Sequence, residues 1–117
     1  MTRSQSVPDR GDLVWLEFAP HAGHEQAGRR PGVVLSPETY NRLTGLALIC
    51  PVTSKIKGFG FESRLPEGSS VQGVVLSDHV RSMDWRTRKL RKEGRVSDGV
   101  IRDIFQKLGT LLDMEAA

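Results

Sequence analysis

From Asp98 onward the apolar residues change their spacing. Val100, Ile101, Ile104, Phe105, Leu108, Leu111 and Leu112 recur at the intervals of one helical face. Ser97 suits the N-cap of that helix, and Asp98 falls in its first turn, where the peptide dipoles favour negative charge. Ahead of this tail the chain carries short apolar runs instead. LVWLEF (residues 13–18) follows Gly11-Asp12, GVVLS (32–36) follows Pro31, LALICPV (46–52) is interrupted near its end by Pro51, and VQGVVL spans 71–76. Each reads as a strand. Residues 59–65 alternate loosely, and Thr87, Leu90 and Val96 give a basic segment strand-like intervals that end at Gly94-Arg95-Val96. Residues 37–41 suit a single helical turn with Pro37 in its first position. Five to six short strands followed by one amphipathic helix predict a mainly β fold with a C-terminal α-helix, a small curled barrel against which the helix packs.

The 117 residues are expected to form one domain spanning 1–117, with residues 1–8 a loose polar lead-in. Hydrophobic residues make up 38% and charged residues 26%, as in an ordinary soluble protein. No apolar run approaches the roughly 20 residues that span a bilayer. The N-terminal MTRSQSVPDRGD lacks the apolar stretch of a secretory signal. The single cysteine, Cys50, excludes an intrachain disulfide and every multi-cysteine zinc site, and inside an apolar strand it reads as a small buried hydrophobe. Cytoplasmic residence is the expectation.

The net charge is only +3, but its distribution is uneven. Residues 81–95 hold seven Lys or Arg against Asp84 and Glu93, an excess larger than that of the whole chain. Such a stripe attracts polyanions, nucleic acid among them, or forms a solvated face.

Several groupings carry chemistry. The polar loop between the first two strands holds His21, His24, Glu25, Arg29 and Arg30. Its His-x-x-His-Glu order is not the helical His-Glu-x-x-His zinc pattern. Gly23 disfavours a helix, and no third ligand lies nearby, so neither a metal nor another cofactor is expected. Serine-hydrolase, phosphate-loop and dinucleotide fingerprints are absent. Asp78 and His79 offer an acid–base pair, but neighbours on a strand face opposite ways, which argues against direct contact. Trp15 and Trp85 offer stacking surfaces for bases, although Trp15 within LVWLEF suits the core or an interface better. Arg29 and Arg30 precede Pro31 at the mouth of one strand, and Thr53 with Lys57 follows the end of another. If those strands pair, guanidinium, hydroxyl and ammonium groups converge on one rim, a set suited to a phosphodiester.

These stretches together resemble the MazF/PemK toxin family. The matching segments are VPDRGDLVW (7–15), EQAGRRP (25–31) leading into VVLSP, Tyr40-Asn41, Thr44-Gly45, Pro51-Val52-Thr53, Lys57-Gly58, and VLSD (75–78) through Arg81-Ser82 to Trp85-Arg86. They keep the family's order and nearly its spacing over most of the chain. The resemblance implies an SH3-like, PemK-type barrel, a homodimer, and a type II toxin that cleaves single-stranded RNA, blocking translation and growth. It also implies a MazE-like antitoxin whose acidic tail covers the active groove. By position, the family's catalytic arginine falls on Arg30 and its catalytic threonine on Thr53. Phe18, Glu25, Arg29, Lys57, Asp78, Arg81 and Arg86 fall where active-site support or RNA contacts are implied. Where one well-known member has a histidine just before the catalytic arginine, this chain has Arg29.

The implied chemistry needs no metal. RNA supplies its own nucleophile, the 2′-hydroxyl, and the protein must align it and stabilise charge on the phosphate oxygens, leaving a 2′,3′-cyclic phosphate and a 5′-hydroxyl. Arginine stays protonated near neutrality and makes a poor base, so an electrostatic role fits Arg30 better than a proton-transfer one. Two other functions suit the same fold: a non-catalytic, gyrase-binding toxin like CcdB, and a plain nucleic-acid-binding barrel. The arginine–threonine pair and the basic stripe favour the nuclease.

Overall fold

In the computed structural model, which describes residues 6–18 and 28–113, the apolar runs become strands of one antiparallel sheet. The strands are β1 (Asp12–Glu17), β2 (Arg29–Val34), β3 (Leu46–Thr53), β4 (Glu62–Arg64), β5 (Val74–Leu76), β6 (Arg81–Asp84) and β7 (Arg91–Arg95). Helix α1 (Glu38–Thr44) lies between β2 and β3, and α2 (Asp98–Leu111) follows β7. The strand order is β4-β5-β3-β2-β1-β7. One side of β3 is shared, its first half pairing with β6 and its last two residues with β5, so the sheet divides and curls around this strand. Pairing ends at β4 and β7, and the described strands form a barrel-like sheet without closing a ring.

Strand alternation explains why LVWLEF is apolar on both sides. Leu13 joins Val33, Cys50, Val52, Val100 and Ile104 in a core between the sheet and α2. Val14, Leu16 and Phe18 turn to the opposite core, with Ala47, Ile49, Met83, Trp85 and Leu90. Trp85 is 1% exposed and its indole N–H donates to the Asn41 carbonyl at 3.0 Å, so it supports the fold and offers no platform for bases. Asn41, itself buried, also donates to the carbonyls of Pro8 and Ser36. Pro8 is buried, and Val7 packs against the second core.

Four local expectations change. Pro37 precedes α1 in an extended conformation, and the helix runs seven residues, not one turn, before Gly45 caps it at φ 76°. The loose alternation of 59–65 yields only β4, and Phe59 is exposed. Residues 71–76 yield only β5, because Gly73 turns at φ 128° against Thr53; a Cβ there would lie 2.2 Å from the Thr53 carbonyl oxygen. The basic segment is two strands, not one, joined through a turn that contains Thr87 and Lys89 (φ 57°). Helix α2 begins as expected, with the Ser97 hydroxyl accepting from the Val100 N–H. Its apolar face is covered unevenly: Val100 and Ile104 are buried, whereas Phe105, Leu111 and Leu112 are exposed.

Candidate active site

Strands β2 and β3 pair antiparallel through Gly32↔Pro51, Val33↔Cys50 and Val34↔Ile49. Continued two residues, that register brings Arg30 opposite Thr53, on one face of the ladder. Both line an open cavity of about 620 Å³, together with Trp15, Arg29, Lys55 and Gln72. Thr53 and Lys55 also line an adjoining cavity of about 190 Å³, which adds Lys57, Glu62 and His79. Thr53 therefore stands at the junction of a continuous, mainly cationic surface. The sheet fixes it through the Thr53↔Val74 pair with β5.

Arg30 is half-buried, and among the described residues its guanidinium makes no hydrogen bond or ion pair. The Thr53 hydroxyl accepts the Lys55 N–H at 3.1 Å, which leaves its own hydrogen to donate. Glu62 accepts the N–H groups of Lys57 (3.0 Å) and Gly58 (2.9 Å), tying the loop after β3 to β4. A donor-rich cavity with one committed carboxylate suits a phosphate-bearing ligand. Lys55, just beyond the end of β3, escaped the sequence reading.

Other expected site residues have different positions. Arg29 is exposed at the cavity edge, but its Nη2 donates to the carbonyls of Trp15 (3.1 Å) and Lys89 (2.9 Å), which joins β2 to the β6–β7 turn. Trp15 lines the Arg30 cavity and is half-buried. Phe18 is 4% exposed and packs in the second core, with the Arg81 guanidinium 5.7 Å from its ring centre. Arg86 stacks on Trp85 at 4.8 Å and lies beside Gly45, at the start of β3. Thr53 ends that strand, about 23 Å away at ~3.3 Å per residue, and within one copy Arg86 does not line the Arg30–Thr53 cavity. Asp78 and His79 lie in the turn after β5, not on a strand, and contact each other at 3.7 Å, contrary to the expectation from alternation. Glu25, His21 and His24 lie outside the described residues.

The basic stripe is partly structural. Buried Asp12 holds Arg95 at 2.8 Å and Lys92 at 3.3 Å, and Arg88 donates to the carbonyls of Glu17 and Phe18. Burial pushes the Cys50 thiol up to about 12, with the nearby Asp78 charge adding to the shift, so it is no nucleophile. Among the described residues no three His, Cys, Asp or Glu gather as a metal site, and no helix is long and apolar enough to cross a membrane.

Comparison with known proteins decides the family. The family described as PemK-like, MazF-like toxin of type II toxin–antitoxin system matches residues 9–112. The chain belongs to the PemK/MazF toxin family. The endoribonuclease toxin MazF of Escherichia coli strain K12 is 46% identical over 109 residues, covering 93% of this chain and 97% of that one. The endoribonuclease toxin ChpB of the same strain is 36% identical over 111 residues, covering 90% and 94%. Among solved structures, a MazE–MazF crystal structure from Deinococcus radiodurans superposes with a TM-score of 0.88 at 54% identity, covering 94% of this chain and 99% of that one. The PemK/MazF fold thus carries the Arg30–Thr53 cavity at the divided end of its sheet.

Proposed function

We propose that this toxin is a metal-independent endoribonuclease that cuts single-stranded RNA at the Arg30–Thr53 cavity. The observation that carries the reading is the convergence of a guanidinium without a partner among the described residues and a free-donor hydroxyl on one cation-lined surface. With the scissile phosphate there, Arg30 and the Thr53 hydroxyl donate to its non-bridging oxygens as the 2′-oxygen attacks. Preorganised donors of this kind hold the charge that develops in the transition state. Lys55 and Lys57 extend the positive surface along the RNA backbone, and Arg29 supports the rim through its two carbonyl bonds. A gyrase-binding toxin needs no such set.

The same reading takes the whole chain, 1–117, as one toxin domain acting in the cytoplasm. Its partners are a second copy and a MazE-like antitoxin with an acidic tail. Such a tail matches the cationic cavity, so antitoxin and RNA compete for it. The second copy has a separate surface. Tyr40, Leu48, Val80, Phe105, Leu108 and Leu112 line an apolar groove of about 690 Å³ that shares no lining residue with the Arg30 cavity. The deciding experiment incubates pure protein with a long single-stranded RNA of mixed sequence in excess EDTA and analyses the ends. Cleavage with 2′,3′-cyclic phosphate termini is expected. Activity that stops on chelation and returns with added Mg²⁺ or Zn²⁺ contradicts the mechanism.

A further inference from the structure

Cleavage through the 2′-hydroxyl requires a group to accept its proton. Arginine and lysine are already protonated near neutrality and threonine does not ionise. Arg30, Thr53, Lys55 and Lys57 therefore stabilise charge but take up no proton. Among the described residues, two groups lining the smaller cavity remain, Glu62 and His79. Both Glu62 oxygens are occupied by backbone N–H groups, a task that fixes the loop. His79 has no such commitment. Its side chain is 55% exposed, it shares the cavity with Thr53, and its Nε2 is 3.7 Å from Asp78 Oδ1.

The placement is built by the fold. β5 pairs with the end of β3 through Thr53↔Val74, and the His79 N–H donates to the Leu76 carbonyl at 3.0 Å as the chain leaves β5. The imidazole is thus held one short turn from the strand that fixes Thr53. The charged groups facing it are Asp78 on its own turn and Lys55, Lys57 and Glu62 around the cavity.

We propose that His79 is the general base of the cleavage, with Asp78 as the counter-charge to the imidazolium that forms. The inference rests on the endoribonuclease reading. Neutral His79 takes the 2′-hydroxyl proton on Nδ1, the nitrogen turned away from Asp78. The 2′-oxygen bonds to phosphorus as the bond from phosphorus to the 5′-oxygen breaks. The departing 5′-oxygen is protonated by water, and the hydroxide left over neutralises the imidazolium, so no metal or other co-reactant is consumed. Only a neutral imidazole accepts the proton, so the rate rises with pH.

The test is the pH profile of cleavage of a mixed-sequence single-stranded RNA by His79→Gln and by His79→Ala with added imidazole. Wild-type kcat should climb with pH and then level. His79→Gln should lose that limb and lower kcat by about 10²–10⁴-fold, with KM within about threefold of wild type. Imidazole should partly restore His79→Ala, which a purely structural role would not permit. Wild-type kcat in His79→Gln, or a slow variant that keeps the limb, overturns the proposal. Arg30→Ala and Thr53→Val in the same assay separate the two readings. If they are impaired while His79→Gln is not, only the base assignment fails; if they too cut at the wild-type rate, the site itself is elsewhere.

Discussion

At the residue scale, Arg30 and Thr53 differ in how tightly the fold depends on them. Arg30 makes no side-chain hydrogen bond or ion pair among the described residues, so Arg30→Ala should unfold at nearly the wild-type temperature. Losing one preorganised donor should slow cleavage by about 10²–10³-fold, mainly in kcat. Thr53→Val removes the proposed donor hydroxyl and the acceptor for the Lys55 N–H together, and Thr53→Ser, which keeps both, should retain most of the activity. Cleavage kinetics beside a thermal melt check this, and equal wild-type rates for the alanine and valine variants would refute the assignment. That Arg30 and Thr53 meet on one rim was legible because both residues flank apolar runs that read as strands. Phe18 and Trp85 were harder to place: an aromatic near the end of a strand has the same sequence signature whether it faces RNA or the second core. Only pairing partners such as Asn41, 44 positions from Trp85, decide between these.

At the element scale, the basic segment shows what a charge run conceals. Its excess was plain in the sequence, but the buried acid that answers it, Asp12, lies 83 residues from Arg95. Lys92, Arg95 and Arg88 consequently serve the sheet and its turn, and β6 went unseen because RSMD buries a single apolar residue, Met83. Arg91 differs from these. It is exposed, pairs across the ladder with Trp15 of the Arg30 cavity, and has no side-chain partner among the described residues. RNA binding should therefore weaken with salt, and Arg91→Ala should reduce the slope of log K against log salt by about 0.7, the value for one phosphate contact on a single strand. Lys92→Ala should instead lower thermal stability, since it removes one of the two cations that compensate buried Asp12. Titration of labelled RNA at several salt concentrations measures the slope, and an unchanged slope in Arg91→Ala would reduce Arg91 to a solvated cation.

At the scale of the whole molecule, the helical tail that fixed the fold class also leaves its work unfinished. One part of its apolar face is buried against the sheet, while Phe105 (39% exposed) and Leu112 (64%) join Tyr40 and Leu48 around the second groove. Leu48 belongs to β3, whose other end carries Thr53, so a copy docked on this groove bears on the strand that positions the reaction. A closed pair would use the same patch on each copy, and a stable one would bury at least about 1,000 Å² in total. We therefore expect a dimer at micromolar concentration. Trp15 lines the Arg30 cavity and not this groove, so substitutions there should spare assembly. Phe105→Glu places charge where the apolar faces meet; it should shift the protein to monomer in sedimentation and weaken cleavage, while the fold survives because Phe105 lies outside both cores. An acidic antitoxin peptide, by contrast, should displace RNA from the dimer without changing its mass beyond the added peptide. A Phe105→Glu protein that remains dimeric would place the interface elsewhere, and a monomer that cuts at the full wild-type rate would show that pairing is dispensable for the chemistry.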